Sequence, residues 1–158
     1  MKSRKVPQKL ILAIGAWICV LGTLHAMNIH AADCPQWRGP ERNGLSKETG
    51  LLKEWPEGGP KLLLSVEGIG SGFSSPSIAK GVLYITGTVD NIEALSAFDL
   101  KGNLKWQKKY GKAFSQSFPD ARTTPTVDEN SIYVVSGTGE VVCFDATSGE
   151  IKWSVQAF

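Results

Sequence analysis

Histidine is the scarcest reactive side chain here: there are two, His25 and His30, and both fall in the first 31 residues. The remaining chain therefore lacks the usual general base and the commonest transition-metal ligand near neutral pH. Cysteine is almost as sparse, with three residues, none adjacent to another and no Cys-x-x-Cys-His run, which excludes covalent haem attachment within these residues. No apolar run reaches the roughly 20 residues that span a bilayer; the longest, residues 10–24, has 15. Beyond residue 9 the arginines are few and scattered. That is no footprint for a phosphate backbone, so nucleic acid is not an expected partner. Low-complexity sequence is missing too, and no helical period of useful length follows residue 31.

The first 9 residues carry four basic side chains and no acid, and the 15-residue apolar run follows them. With small residues at Ala26, Ala31 and Ala32, this profile predicts a signal peptide over residues 1–31, cleaved after Ala31 or Ala32. A periplasmic or otherwise exported location follows, with membrane contact only through this segment if it is retained. Its removal takes four basic residues and no acids, turning a net charge of +2 into −2, with 13 basic against 15 acidic residues. Cys19 leaves with it. Cys34 and Cys143 would meet an oxidising compartment, paired or free; Cys143 aligns with Ala97 in mid-strand and reads more naturally as a small buried hydrophobe.

Residues 32–59 form a polar, turn-rich N-terminal arm, with a helical turn expected over residues 51–55. From residue 60 onward the sequence repeats. Phe98-Asp99 answers Phe144-Asp145, Gly102 answers Gly149, and Trp106 answers Trp153 at a spacing of 47. Upstream, Ser74-Ser75-Pro76 matches Thr123-Thr124-Pro125 and Tyr84 matches Tyr133 at a spacing of 49. Each Asp opens a tight turn by accepting nearby backbone N–H groups, and each Gly closes it with positive φ. After the turn, alternation puts Trp106 and Trp153 on one strand face and Lys105 and Lys152 on the other.

Four short strands per unit are predicted, over 74–79, 82–87, 93–100 and 103–110, then over 123–128, 131–137, 140–145 and 150–156. A period of roughly 40–50 residues with four strands is the signature of β-propeller blades. The expected fold is therefore all-β, with four-stranded antiparallel blades near 74–110 and 123–156. Residues 60–67 supply a partial one, with Leu64 standing where the tryptophans stand. Rings close with about four to eight blades, so residues 60–158 are expected to form an incomplete ring and the chain to be an N-terminal fragment.

The hairpin Phe144-Asp145-Ala146-Thr147-Ser148-Gly149 with Trp153 resembles the repeat of the pyrroloquinoline-quinone-type, or quinoprotein-like, propellers. The lead-in Pro35-Gln36-Trp37-Arg38-Gly39-Pro40 is similar to the start of exported propellers of that superfamily from bacteria such as planctomycetes. The resemblance implies that Trp106 and Trp153 dock between neighbouring blades. It also implies one of two functions. The first is a non-catalytic binding or scaffolding propeller, holding a protein partner or a small ligand in its channel. The second is the N-terminal part of a pyrroloquinoline-quinone-dependent alcohol or sugar dehydrogenase, with quinone and calcium as cofactors.

No catalytic residue is assigned. Neither Cys34 nor Cys143 belongs to a vicinal pair, and no calcium-binding pattern stands out; Asp128-Glu129-Asn130 reads as a solvated turn. Gly68-Ile69-Gly70-Ser71-Gly72 looks like a phosphate loop, yet Pro76 follows and no helix opens there. Arg122 is the cofactor-binding candidate: at the entry of an inner strand, its guanidinium could clamp a carboxylate or pair with Asp120. Ser74, Ser75, Thr123 and Thr124 could add hydroxyls to that channel or hold turns. Trp37 and Arg38 could anchor another protein, or fold back with the indole buried.

Overall fold

A computed structural model describes residues 33–158; the signal peptide expected over residues 1–31 lies outside the described residues. Eight strands form two four-stranded antiparallel sheets. The first holds β1 (Ser77–Ala79), β2 (Val82–Val89), β3 (Ile92–Asp99) and β4 (Leu104–Lys112) in that order. The second holds β5 (Thr126–Asp128), β6 (Ser131–Val135), β7 (Glu140–Asp145) and β8 (Ile151–Gln156). Two all-β, four-stranded meanders in series are two blades of a propeller.

The tight turns set the register. In the first blade Tyr84 pairs with Ala97, which pairs with Trp106; in the second Tyr133 pairs with Cys143, which pairs with Trp153. A bulge recurs at the same place, between Ala97 and Phe98 and between Cys143 and Phe144, where the turn feeds the outer strand. The inner strands are shorter than expected, because Pro76 and Pro125 withhold an N–H from any ladder.

The core is the space between the blades. Tyr84, Leu95 and Ala97 of the first meet Ile132, Val134, Val142 and Phe144 of the second, with Trp106, Tyr110 and Val127 packed against them. Period-2 alternation sends these residues to one face of each sheet. Leu83 and Phe98, one register step away, are buried on the other face of the first blade.

Residues 60–67 are not a strand, and residues 51–55 form no helical turn. Leu62 and Leu63 are exposed. A strand needs a neighbour to take its backbone hydrogen bonds, and none of the described strands pairs with this segment. Leu64 nevertheless lies against Gly102, as Trp106 lies against Gly149.

The Gly68–Gly72 run is explained by close approach. A Cβ on Gly70 would meet the Thr88 carbonyl oxygen at 2.1 Å, and one on Gly87 would meet that of Ile69 at 1.8 Å. Ser71 bridges to Thr88 and Gly72 to Ala121, so the run laces the top of β2 to the segment before β5.

Candidate functional site

The inner strands and the connector between the blades hold the residues singled out from the sequence. Arg122 is exposed just before β5. Its guanidinium donates to the carbonyls of Ser117, at 2.6 Å, and Phe118, and lies 4.8 Å from the Phe114 ring centroid. It pairs with no described carboxylate, Asp120 included. The connector over residues 113–121 curls around it, so Nη2 holds the cation's own loop, while Nε and Nη1 have no acceptor among the described residues.

The channel hydroxyls are committed in the same way. Thr124 Oγ1 accepts from Ser75 N at 3.2 Å, Thr86 Oγ1 donates to Thr123 O at 2.6 Å, and Thr123 Oγ1 donates to Val135 O at 2.6 Å. Ser74 Oγ donates to Ser75 O at 3.2 Å. Ser77 Oγ donates to Pro125 O across the blades. The bonds of Ser75, Thr86 and Ser77 stitch the first blade to the lead-in of the second; those of Ser74 and of the Thr123 hydroxyl stay within one blade.

Both turn aspartates act as the spacing suggests. Asp99 Oδ1 accepts from Lys101 N and Asn103 N, each at 2.9 Å, and Oδ2 accepts from Asn103 Nδ2 at 2.8 Å. Asp145 Oδ1 accepts from Thr147 N and Ser148 N at 3.0 Å, while Oδ2 accepts from Asn130 Nδ2 at 2.7 Å. Donors aimed at the ionised form hold both carboxyls below the usual range, led by the Asn103 side chain at Asp99 and by the Ser148 N–H at Asp145. Gly102 and Gly149 close these turns at φ 91° and 72°.

Trp106 reaches the second blade. Its ring packs over Gly149, where an added Cβ would come within 2.6 Å, and stacks on Phe144 with centroids 6.5 Å apart. Its indole N–H is buried with no acceptor among the described residues. Trp153 touches Tyr133 of its own blade and remains 46% exposed.

Glu93 escaped the sequence reading. Fully buried at the start of β3, it accepts Tyr110 Oη–H at 2.7 Å and, from the second blade, Gly137 N–H at 2.8 Å. Burial first, and then the Glu93 charge, push the Tyr110 phenol well above its ordinary range. An acid in the apolar run Ile92-Glu93-Ala94-Leu95 was the available signal.

The arm carries the other exposed cluster. Cys34 pairs with Ile78 through two bonds of 2.9 Å, and Pro35 O accepts from Val127 N at 2.8 Å, so two consecutive residues tie the arm to the inner strands of both blades. The chain then turns outward with Trp37 62% exposed rather than buried. Cys34 and Cys143 are both free thiols.

Two blades in matched register, with Trp106 of the first docked on Gly149 of the second, are the setting for a family comparison: residues 36–158 match the family profile described as outer membrane protein assembly factor BamB. The chain belongs to that family. Its repeat is the pyrroloquinoline-quinone-type propeller repeat. Comparison with curated proteins returned no match. Among solved structures, a europium-containing methanol dehydrogenase is similar at 16% identity and a TM-score of 0.44, over 54% of this chain and 16% of that one. The quinohemoprotein alcohol dehydrogenase ADHIIG from Pseudomonas putida HK5 is similar at 21% identity and a TM-score of 0.41, over 63% of this chain and 14% of that one.

A quinone and calcium pair would need a free cation and converging oxygen ligands. Arg122 has that cation, with Nε and Nη1 left over from its carbonyl bonds; no three His, Cys, Asp or Glu side chains come together among the described residues to hold calcium.

Proposed function

We propose that this chain is part of an exported propeller that works as a binding and scaffolding module, presenting its blades and arm to a partner. The observation that carries the reading is how the polar groups at the inner strands are used. Thr86, Thr123, Thr124 and Ser77 spend their hydrogen bonds on neighbouring backbone, and Arg122 spends Nη2 in the same way. Side chains spent on their own scaffold have little left with which to orient a substrate. Membership in a family described as an outer-membrane assembly factor supports the same reading.

The experiment is a titration of the full chain with pyrroloquinoline quinone and calcium, followed by absorbance and by dye-coupled alcohol oxidation. No saturable binding and no turnover are expected from folded protein. Saturable binding with turnover would overturn the scaffold and make this the N-terminal part of a quinoprotein dehydrogenase. Export is checked separately, by N-terminal sequencing of the periplasmic product, which should begin at Ala32 or Asp33.

A further inference from the structure

The loop that follows the arm's crossing of the inner strands holds charge it does not use. Gln36, Trp37, Arg38, Arg42 and Thr126 line an open cleft of about 430 Å³. The Arg38 guanidinium lies 5.4 Å from the centroid of the exposed Trp37 ring. Gln36 is fixed between two partners: its Nε2 donates to Pro40 O at 3.0 Å, and its Oε1 accepts Arg42 Nε–H at 2.9 Å. Arg42 is thereby oriented through Nε, with no described acceptor for its terminal nitrogens.

One observation sets this loop apart from an ordinary charged turn. Neither guanidinium has a carboxylate partner among the described residues, because the acid within the loop, Glu41, is taken by Lys47 and Asn43. Two cations thus stand beside an exposed indole with no acid to neutralise them.

We propose that this cleft recognises a carboxylate side chain on an extended partner peptide, an apolar neighbour of that carboxylate resting on the Trp37 indole. The inference deepens the scaffolding reading and rests on it. Oriented guanidinium forks match carboxylates, and a cation stacked on an exposed indole is the composition of a protein-interface anchor. A phosphate ion would leave the indole uncovered. A nucleic acid would cover it, but a phosphate backbone is held by a track of basic side chains, and the cleft offers two.

The test is calorimetric titration of the full chain with a short peptide alternating Glu and Leu. A Gln/Leu counterpart, acetate and an oligothymidylate run beside it. The Glu peptide should bind, and the Gln peptide should bind about tenfold more weakly or worse, since hydrogen bonds to charged groups are worth that much. Arg42→Lys keeps the charge and loses the fork, and a similar loss is expected. Trp37→Phe should retain most of the affinity and Trp37→Ala little.

Equal binding of both peptides would overturn the proposal, as would acetate matching the Glu peptide or the oligothymidylate exceeding it. An unaffected Arg42→Lys protein would also do so. If Arg42→Lys shifted the urea midpoint, salt would decide on the unaltered protein: affinity falling with ionic strength supports the site, and indifference removes it. A chain that ignores both peptide and quinone loses this site and keeps the scaffold; quinone turnover removes the scaffold without touching the peptide result.

Discussion

The two blades use the same Tyr, small residue and Trp in the same register, and the outcome differs. In the first, Trp106 is covered by Gly149 and Phe144 of the blade that follows. In the second, Trp153 stands 46% exposed beside Tyr133. The conserved register therefore does not bury the aromatic within its own sheet. It aims the ring at the neighbour, so stability in such a chain lies between repeats as much as within them. The hairpins differ as well. β2 and β3 run on to Val89 and Ile92, whereas the second blade turns at Gly137. The longer hairpin lets Glu93 reach across to the backbone of the shorter one.

Truncating the two tryptophans tests this contrast most severely. Trp106→Ala should cost about 3–5 kcal/mol, the range for a large core aromatic, while Trp153→Ala in this chain should cost under about 1 kcal/mol. Urea unfolding of both proteins reads the difference, and equal losses would break the comparison.

The turn glycines come next. Gly149→Ala puts a methyl group into the Trp106 ring at positive φ and should cost about 2–4 kcal/mol. Gly102→Ala meets the movable end of Leu64 at 3.1 Å and the Ser65 carbonyl oxygen at 3.3 Å, neither as close as the Trp106 ring at Gly149, and should cost about 1–2 kcal/mol, chiefly from backbone strain. The same denaturant series sharpens the contrast if these values separate.

A smaller effect is expected at the polar bridge. Glu93→Gln keeps one oxygen for the Gly137 N–H and gives its amide N–H to the Tyr110 hydroxyl, which reverses to accept it; losing the charge assistance in both bonds should cost about 1–2 kcal/mol. Hydrogen exchange at the Gly137 amide should quicken with it.

The gentlest test is pH. Both turn aspartates have folded values below their unfolded ones, so their stabilisation is present above the usual carboxylate range and is lost as pH falls through the lowered values. Asp145 also engages Asn130 and lies 3.5 Å from Lys152, contacts that Asp99 lacks. Asp145→Asn should therefore flatten the acid limb of the thermal midpoint more than Asp99→Asn.

Strand order, turn chemistry and register were readable in the sequence, because an Asp and a Gly at fixed offsets dictate a hairpin and alternation then assigns the faces. Residues 60–67 misled because apolar spacing says nothing about whether a partner strand exists. Arg122, expected at the entry of an inner strand, stands four residues before β5, and its place in the sequence cannot reveal that the connector bends its own carbonyls onto the guanidinium. Glu93 was hidden for a related reason. Its acceptor role depends on a glycine N–H 44 positions later, a proximity created by stacking two sheets. The exposure of Trp37 likewise depends on where the arm leaves β5.

The Trp106 contact with Gly149 has one further property, which belongs to symmetry. The surface that offers the indole and the surface that offers the bare glycine are different patches, so the contact is heterologous and has a direction. Two blades cannot satisfy it back to back; each use consumes one patch and presents the other again, rotated about a common axis. A contact of that type either closes on itself after a whole number of steps or continues without end. The side chains on a blade's two faces thus choose only the next neighbour. The angle between β1–β4 and β5–β8, repeated, is what decides how many blades a ring contains.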